Sequence, residues 1–265
     1  MFNFIIYSKD RAAQLELLLR SMKQYFLEWG GFEYNILYKC SDDNFKKGYE
    51  KLKGIHNECN FKYIEETNFR EQTLSFIYER YPYICFFVDD LYFKSSFSIL
   101  GRSFYKYKHD DTILCLSLRM SPYITRCQIK GIESPPPVLN DDLRWEWREA
   151  KGDWSYPMVI DGNIFHTVEI VPLLRSLDYE NPSTLEDSLS LNPIDKPYMI
   201  CCEESVVTNN PINKVQVVND NNCGDISPEE LNDNFLKGKI ISFKNLIRRN
   251  NDPHQIMTVK YEEIT

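Results

Sequence analysis

The chain is short of glycine and of basic charge, and it contains no long apolar run. Ten glycines are spread over 265 residues, and none falls into G-x-G-x-x-G or G-x-x-x-x-G-K-[ST], the loops that let a backbone close on phosphates. This removes the main support for a dinucleotide oxidoreductase or a P-loop enzyme. Lysine and arginine number 31 against 39 acidic residues, a formal net charge of −8. Sequence-independent nucleic-acid binding needs a basic face to neutralise phosphates, so no nucleic-acid partner is expected. No apolar stretch approaches the roughly 20 residues of a membrane-spanning helix. The opening MFNFIIYSKDR also lacks a basic leader and a small-residue cleavage site. A soluble, cytoplasmic protein with at most peripheral membrane contact is the expectation. The eight cysteines include no C-x-x-C pair, so zinc-site spacing is missing and reduced, mostly buried thiols are expected.

What is present is an alternation of strand and helix patterns. A chain of this length hides roughly 70 to 75% of its unfolded surface, enough for a large core without cross-links. Residues 2–7 (FNFIIY), 33–38 (EYNILY) and 61–64 read as strands. Residues 10–26 place leucines at helical spacing, and 43–54 read as a helix with Asp43 as its cap. Asn68 and Glu71 resemble a capping box for a helix running to about residue 80, stopped by Pro82. Residues 83–88 (YICFFV) are apolar at every position, as in a central strand buried on both faces. These βα steps predict an α/β protein with a mostly parallel sheet flanked by helices. A helix over 95–107 and a strand over 113–118 follow. Residues 121–153 lose periodicity, carry three consecutive prolines at 135–137, and are expected to form a long surface excursion of the kind that binds something. A strand over 158–165 and a helix over 169–177 come next. Asn181-Pro182 begins a further helix, YMICC a strand, and Ser227 an amphipathic helix.

The most informative feature is Asp89-Asp90 directly after YICFFV. Two carboxylates at the carboxyl end of a central parallel strand lie where open α/β sheets bind ligands. Hard oxygen donors there suit Mg²⁺ or Mn²⁺, which take one or two carboxylates plus substrate phosphates. The alternative is that the pair merely ends a strand and caps the next helix. The second feature is Ser8-Lys9-Asp10-Arg11 with Gln14-Leu15, which ends the first strand and opens the first helix. A helix N-terminus offers N–H groups and a positive dipole end.

Taken together, strand-then-SKDR-x-x-Q-L, the acidic tip Ser41-Asp42-Asp43 and strand-then-VDD resemble the nucleotide-sugar glycosyltransferases of the GT-A fold, particularly the family-2-like group. The resemblance is best over residues 1–120. It implies a GT-A (Rossmann-like) sheet with an acceptor-side second half, read here as one domain: residues 1–120 for the nucleotide sugar, 121–205 for the acceptor and catalysis, 206–265 a tail folding back over the donor. It implies that Ser8, Asp10, Arg11 and Asp42 or Asp43 hold the nucleoside, that Asp89 faces the ribose, and that Asp90 ligates Mn²⁺ or Mg²⁺. The chain departs from the family in having only two acids, not a full D-x-D.

By the same resemblance the catalytic base sits at the start of an acceptor-side helix, matching Glu186 first and Asp187 second. Acids in a first turn also simply favour the helix dipole. His166 is the candidate for an extra metal ligand, or else a packed side chain. Trp154, Asp161 and Gly162 are candidates for a wall contacting donor or acceptor sugar, with a hairpin turn at Asp161-Gly162 as the alternative. Arg119 is a candidate for a phosphate or acceptor contact, against a solvated or paired arginine. Lys244, Arg248 and Arg249 form a small basic group, for a phosphate-bearing acceptor lipid or a solvated helix face.

The expected activity is therefore transfer of a sugar from a UDP- or GDP-sugar to a glycan or lipid-linked acceptor, metal-assisted and inverting. Two alternatives stand beside it. A sugar-phosphate nucleotidyltransferase would normally carry a Gly-rich basic loop where this chain has SKDRAAQ. A non-catalytic carbohydrate-binding protein on a transferase scaffold would bind glycans without turnover.

Overall fold

A computed structural model of the chain describes residues 1–127, 131–213, 223–242, 251–256 and 258–264. Residues Lys214 to Gln216 of the expected tail, and the basic group Lys244, Arg248 and Arg249, lie outside the described residues.

The apolar period-two runs become strands β1 (Phe2–Lys9), β2 (Tyr34–Lys39), β3 (Phe61–Glu65) and β4 (Tyr83–Val88). Between them lie α1 (Ala12–Tyr25), α2 (Asp43–Ile55) and α3 (Phe69–Ser75). Then follow β5 (Leu91–Phe93), α4 (Arg102–Lys108), β6 (Ile113–Ser117), β7 (Arg126–Cys127), β8 (Ile132–Glu133) and β9 (Arg144–Glu146). The rest comprises β10 (Asn163–His166), α5 (Thr167–Ser176), α6 (Pro182–Leu191), β11 (Tyr198–Cys201), β12 (Val207–Asn209), α7 (Pro228–Leu236), β13 (Lys239–Ile241) and β14 (Tyr261–Glu263).

One eight-stranded sheet organises them, in the order β3-β2-β1-β4-β10-β6-β11-β9. Strands β3, β2, β1, β4, β6 and β11 run one way, while β10 and β9 run against them. The α/β expectation holds, with a mixed and mostly parallel sheet. Alternation along β1 divides the core: Phe2, Phe4 and Ile6 face α1 and α2, while Ile5 and Tyr7 pack with Phe69 of α3, Ile170 of α5 and Leu185 of α6. The chain moves outward from β1 to β2 and β3 on one side, and to β4 on the other. The crevice at the carboxyl ends of β1 and β4 is thus the topological switch point, where such sheets bind ligands.

Local chemistry explains most boundaries. Asp42, not Asp43, caps α2, its side chain accepting from the N–H groups of Asn44 and Phe45. Asn181 caps α6 in a reciprocal box with Thr184, and Pro182 supplies the first turn. Helix α3 stops at Ser75, well before residue 80, because Asn3 captures the backbone of Tyr78, accepting its N–H at 2.8 Å and donating to its carbonyl at 3.2 Å. The helix expected over 95–107 begins only at Arg102, since the backbone of Phe97 is spent on residues 25 and 27 (Phe97 N–H to Tyr25, Leu27 N–H to Phe97). The strand expected over 158–165 shortens to β10, because Asp161-Gly162 turns the chain just before it.

The largest departure is the 121–153 segment. It is not a surface excursion throughout: β9 forms the edge of the main sheet against β11, and Trp145 and Trp154 are fully buried. Their rings meet edge to face at 4.8 Å, Trp145 Nε1 donates to the Trp154 carbonyl, and Trp154 Nε1 donates to the Ile124 carbonyl. Trp154 therefore offers no ring face to a sugar. Among the described residues no helix is long and apolar enough to cross a membrane, and no disulfide joins the cysteines.

Because Trp154 is a core side chain, Trp154→Ala is expected to cost about 3 to 5 kcal/mol of stability. Denaturant unfolding checks this; a loss under about 1 kcal/mol would return the indole to the surface.

Candidate active site

The site begins where β4 runs out of apolar residues. Asp89 is 4% exposed and accepts from the Lys9 N–H at 3.0 Å and from Arg11 NH1 at 3.1 Å. Burial pushes its carboxyl up to about 6; Arg11 opposes this and the charge of Asp90 adds to it. Asp90 stands 3.7 Å from Arg11 NH1 through Oδ2 and accepts from Asn209 Nδ2 at 3.1 Å through Oδ1. Its carbonyl accepts from the Asn210 N–H.

The other donor-side candidates divide. Asp10 sits in the left-handed region at φ 57°, and its carboxylate accepts from Ser41 N–H at 2.7 Å and Ser41 Oγ at 2.6 Å. A non-glycine residue held there needs such local compensation. Ser8 Oγ is 2.6 Å from Tyr49 Oη, which also accepts from the Arg11 N–H. With Asp42 capping α2, three of the expected nucleoside contacts (Ser8, Asp10 and Asp42) spend their side chains on fixing the rim of the crevice. Asp43 faces solvent. Arg11 is the member that reaches the acidic pair.

The second half of the chain delivers two more carboxylates. Gly162, at φ +81°, donates to the Phe86 carbonyl and accepts from the Leu118 N–H. A Cβ at this position would lie 2.9 Å from Val207 Cγ2, so only glycine makes this turn between β4 and β6. The turn holds Asp161 toward the acidic pair, accepting from Asn209 Nδ2 at 2.8 Å and Arg119 NH1 at 3.2 Å. Burial pushes Asp161 up to about 8, with Glu186 and Asp90 adding their charges and Arg119 and Asn209 opposing. Glu186, on α6, accepts from the Ile160 N–H at 3.0 Å and from Tyr156 Oη at 3.3 Å. Burial raises its pKa too, against those hydrogen bonds and the charges of Arg119 and His254. Asp187 points to solvent.

One candidate falls outside the site, and another is enclosed beside it. His166 pairs in register with Tyr83, six positions before Asp89 on β4 and roughly 20 Å from it at strand spacing. It packs on the rings of Tyr83 and Tyr107, and burial lowers its pKa. It cannot share a metal with Asp90. Arg119 is in the neighbourhood but enclosed: 3% exposed, it forms ion pairs with Asp153 at 2.6 Å and Asp161 at 3.2 Å. It holds Asp161 in place and presents no open face to an acceptor.

The sequence also hides contributors. Asn209 joins Asp90 to Asp161 through one amide nitrogen. Asn213 takes the Nε and NH2 of Arg11 on its Oδ1 and carbonyl. His254 reaches the site through a bridge beside Asn209, whose N–H donates to the Pro253 carbonyl. No motif or periodicity in the sequence assigns these contacts.

Among the described residues no three His, Cys, Asp or Glu side chains gather as a metal cage. The donor set still fits a hard divalent ion held by Asp90 with phosphates and water as its other ligands, the usual arrangement for Mg²⁺ at a nucleotide. Burial is the main cause that raises the pKa values of Asp89, Asp161 and Glu186, and the neighbouring arginines oppose it.

No family model matches the sequence, and no curated protein matches it. The fold is similar to solved structures. One is S. aureus TarS 1–349, with a TM-score of 0.43 at 14% identity over 75% of this chain and 60% of that one. Another is the mannosyltransferase PcManGT from Pyrobaculum calidifontis in complex with GDP-Man and Mn²⁺, with a TM-score of 0.40 at 11% identity over 77% of this chain and 56% of that one. A third is 4-diphosphocytidyl-2C-methyl-D-erythritol synthase from Anaerococcus prevotii, with a TM-score of 0.40 at 12% identity over 75% and 88%. The chain thus spans 60% of the length of the TarS structure. Sugar-transferring and cytidylyl-transferring enzymes both stand among the similar folds.

The carboxyl of Asp161 binds its proton more tightly in the folded chain than in the unfolded one. Unfolding is therefore favoured as pH rises from about 3.8 through about 8. Asp161→Asn is expected to be more stable than the parent at pH 8, by about 2 kcal/mol, with the gain fading toward pH 4. Melting temperatures across that range check it; equal pH slopes for the two proteins would contradict it.

Proposed function

We propose that the chain is a glycosyltransferase that moves a sugar from a nucleoside-diphosphate sugar to a hydroxyl of a glycan or lipid-linked acceptor. The observation that carries this reading is convergence: the acidic pair after β4 and the carboxylates of Asp161 and Glu186, from distant segments, come together at the switch-point crevice, where Asn209 joins Asp90 to Asp161. A transfer reaction needs both kinds of acid in one place. One set manages the diphosphate, and another takes the proton of the attacking hydroxyl.

In this reading residues 1–120 hold the donor, 121–205 the acceptor, and the tail contributes Asn209, Asn213 and His254. Arg11 and Asp89 lie on the donor side. Asp90 would hold Mn²⁺ or Mg²⁺, which when bound supplies positive charge against the diphosphate. Glu186 is the base: its raised pKa makes it a better proton acceptor than an ordinary carboxylate, and Tyr156 and Ile160 fix its direction. Arg119 positions Asp161 and balances its charge. A base acting on the acceptor directly favours inversion at the transferred carbon.

The test is a panel of UDP, GDP and CMP and their sugar conjugates, with and without Mn²⁺, read as melting-temperature shifts and then as transfer. One nucleoside diphosphate is expected to raise the melting temperature by several degrees with Mn²⁺, an effect lost in Asp90→Ala. Glu186→Gln is expected to keep donor binding while transfer falls about 10² to 10⁴-fold. Pyrophosphate released from a nucleoside triphosphate and a sugar phosphate would instead establish nucleotidyl transfer. Glycan binding without turnover, indifferent to Glu186→Gln, would establish a binding protein.

A further inference from the structure

We propose that Arg11 is a built-in counter-cation that makes divalent-metal binding at Asp90 conditional on the diphosphate. The proposal rests on the nucleotide-diphosphate reading of the site. Arg11 leaves the start of α1 and lays one guanidinium nitrogen between the paired acids, 3.1 Å from Asp89 Oδ1 and 3.7 Å from Asp90 Oδ2. Its other two nitrogens are held at 2.7 Å and 2.5 Å by Asn213 Oδ1 and the Asn213 carbonyl. The arginine side chain is 10% exposed and the Asp89 side chain 6%. One guanidinium charge is therefore held against both acids.

A metal arriving alone at Asp90 meets a guanidinium beside that carboxylate, and like charges that close in a poorly solvated crevice repel. Asp89 lies deeper, tied to the Lys9 N–H and to the same guanidinium. A diphosphate changes the balance. Phosphate oxygens suit the planar fork of an arginine, so Arg11 can turn part of its donor set from Asp89 and Asp90 to the ligand. Asn213 Nδ2 is buried and has no hydrogen-bond partner among the described residues, a second donor beside the arginine that a phosphate oxygen would satisfy. Freed of the arginine, Asp90 accepts the metal, which the phosphates also ligate. Metal and diphosphate then each tighten the other by the same factor. The same coupling keeps the metal site weak until a donor is present.

Binding of Mn²⁺ to the full chain, counted by the loss of the free-ion electron paramagnetic resonance signal, reads this without any turnover. The parent protein is expected to bind Mn²⁺ alone weakly and at least tenfold more tightly with saturating nucleoside diphosphate. In Arg11→Gln, binding of Mn²⁺ alone should tighten about tenfold and the coupling to nucleotide should largely vanish. Removing Arg11 strands a buried acid, so Arg11→Gln with Asp89→Asn removes both partners and leaves Asp90 to report the same result. Arg11→Lys keeps the charge and should behave as the parent toward Mn²⁺ alone. Equal binding of Mn²⁺ alone by the parent and both arginine-free variants would overturn the role of Arg11 while leaving the nucleotide reading intact. Failure of every nucleoside diphosphate to bind, with or without Mn²⁺, would overturn the nucleotide reading and this inference with it.

Discussion

Four carboxylates crowd one end of the sheet, and the fold must hold Asp89, Asp90, Asp161 and Glu186 there against their mutual repulsion and the loss of water. Two arginines make this possible. Arg11 serves the first pair from the start of α1, and Arg119 serves Asp161 from the end of β6 while itself anchored by Asp153. Asn209 adds a neutral amide between the two groups. The compensation is incomplete, since Asp89, Asp161 and Glu186 all keep pKa values above the ordinary carboxylate range. Buried carboxylates with raised pKa values, gathered in a crevice, mark a candidate functional site.

The rest of the architecture serves this arrangement. The apolar run of β4 carries its acids to the switch point, and the left-handed turn at Asp10 ties the rim of β1 to β2 through Ser41. Gly162 lets the chain pass so close to Val207 that Asp161 can face the acidic pair. Strand β5 follows Asp90 at once and pairs with β12, which ends in Asn209, so the residue that bridges the carboxylates is fixed by the ladder beside them. These local conformations cost free energy that the packed faces of the sheet offset.

The first half of this molecule is legible in the sequence because its signals are local. Strand β4 has the expected bounds, Asn181 and Pro182 open α6 as their chemistry requires, and Asp89-Asp90 stand at the strand end. The remainder was hidden because it depends on distant partners. Nothing near Tyr78 in sequence announces that Asn3 will stop α3, and the run of prolines at 135–137 masks an edge strand whose Trp145 completes the core. The sequence places Ser8, Asp10 and Asp42 in the crevice loops, and only the structure shows that their side chains bond Tyr49, Ser41 and the α2 N-terminus. His166 has the right residue type at the wrong end of the sheet. Asn209 and Asn213 precede α7 and His254 follows it, in segments where only tertiary structure assigns neighbours.

The account's central claim is that the crevice between β1 and β4 receives a diphosphate and a metal together. A crystal structure with Mn²⁺ and the nucleoside diphosphate that stabilises the protein most, with the metal located by its anomalous scattering, tests it most directly. The account predicts a manganese peak at coordination distance from Asp90, with the diphosphate between it and the Arg11 guanidinium and Glu186 facing the open side. A peak remote from Asp90, or a nucleotide bound away from the carboxyl ends of β1 and β4, would contradict it.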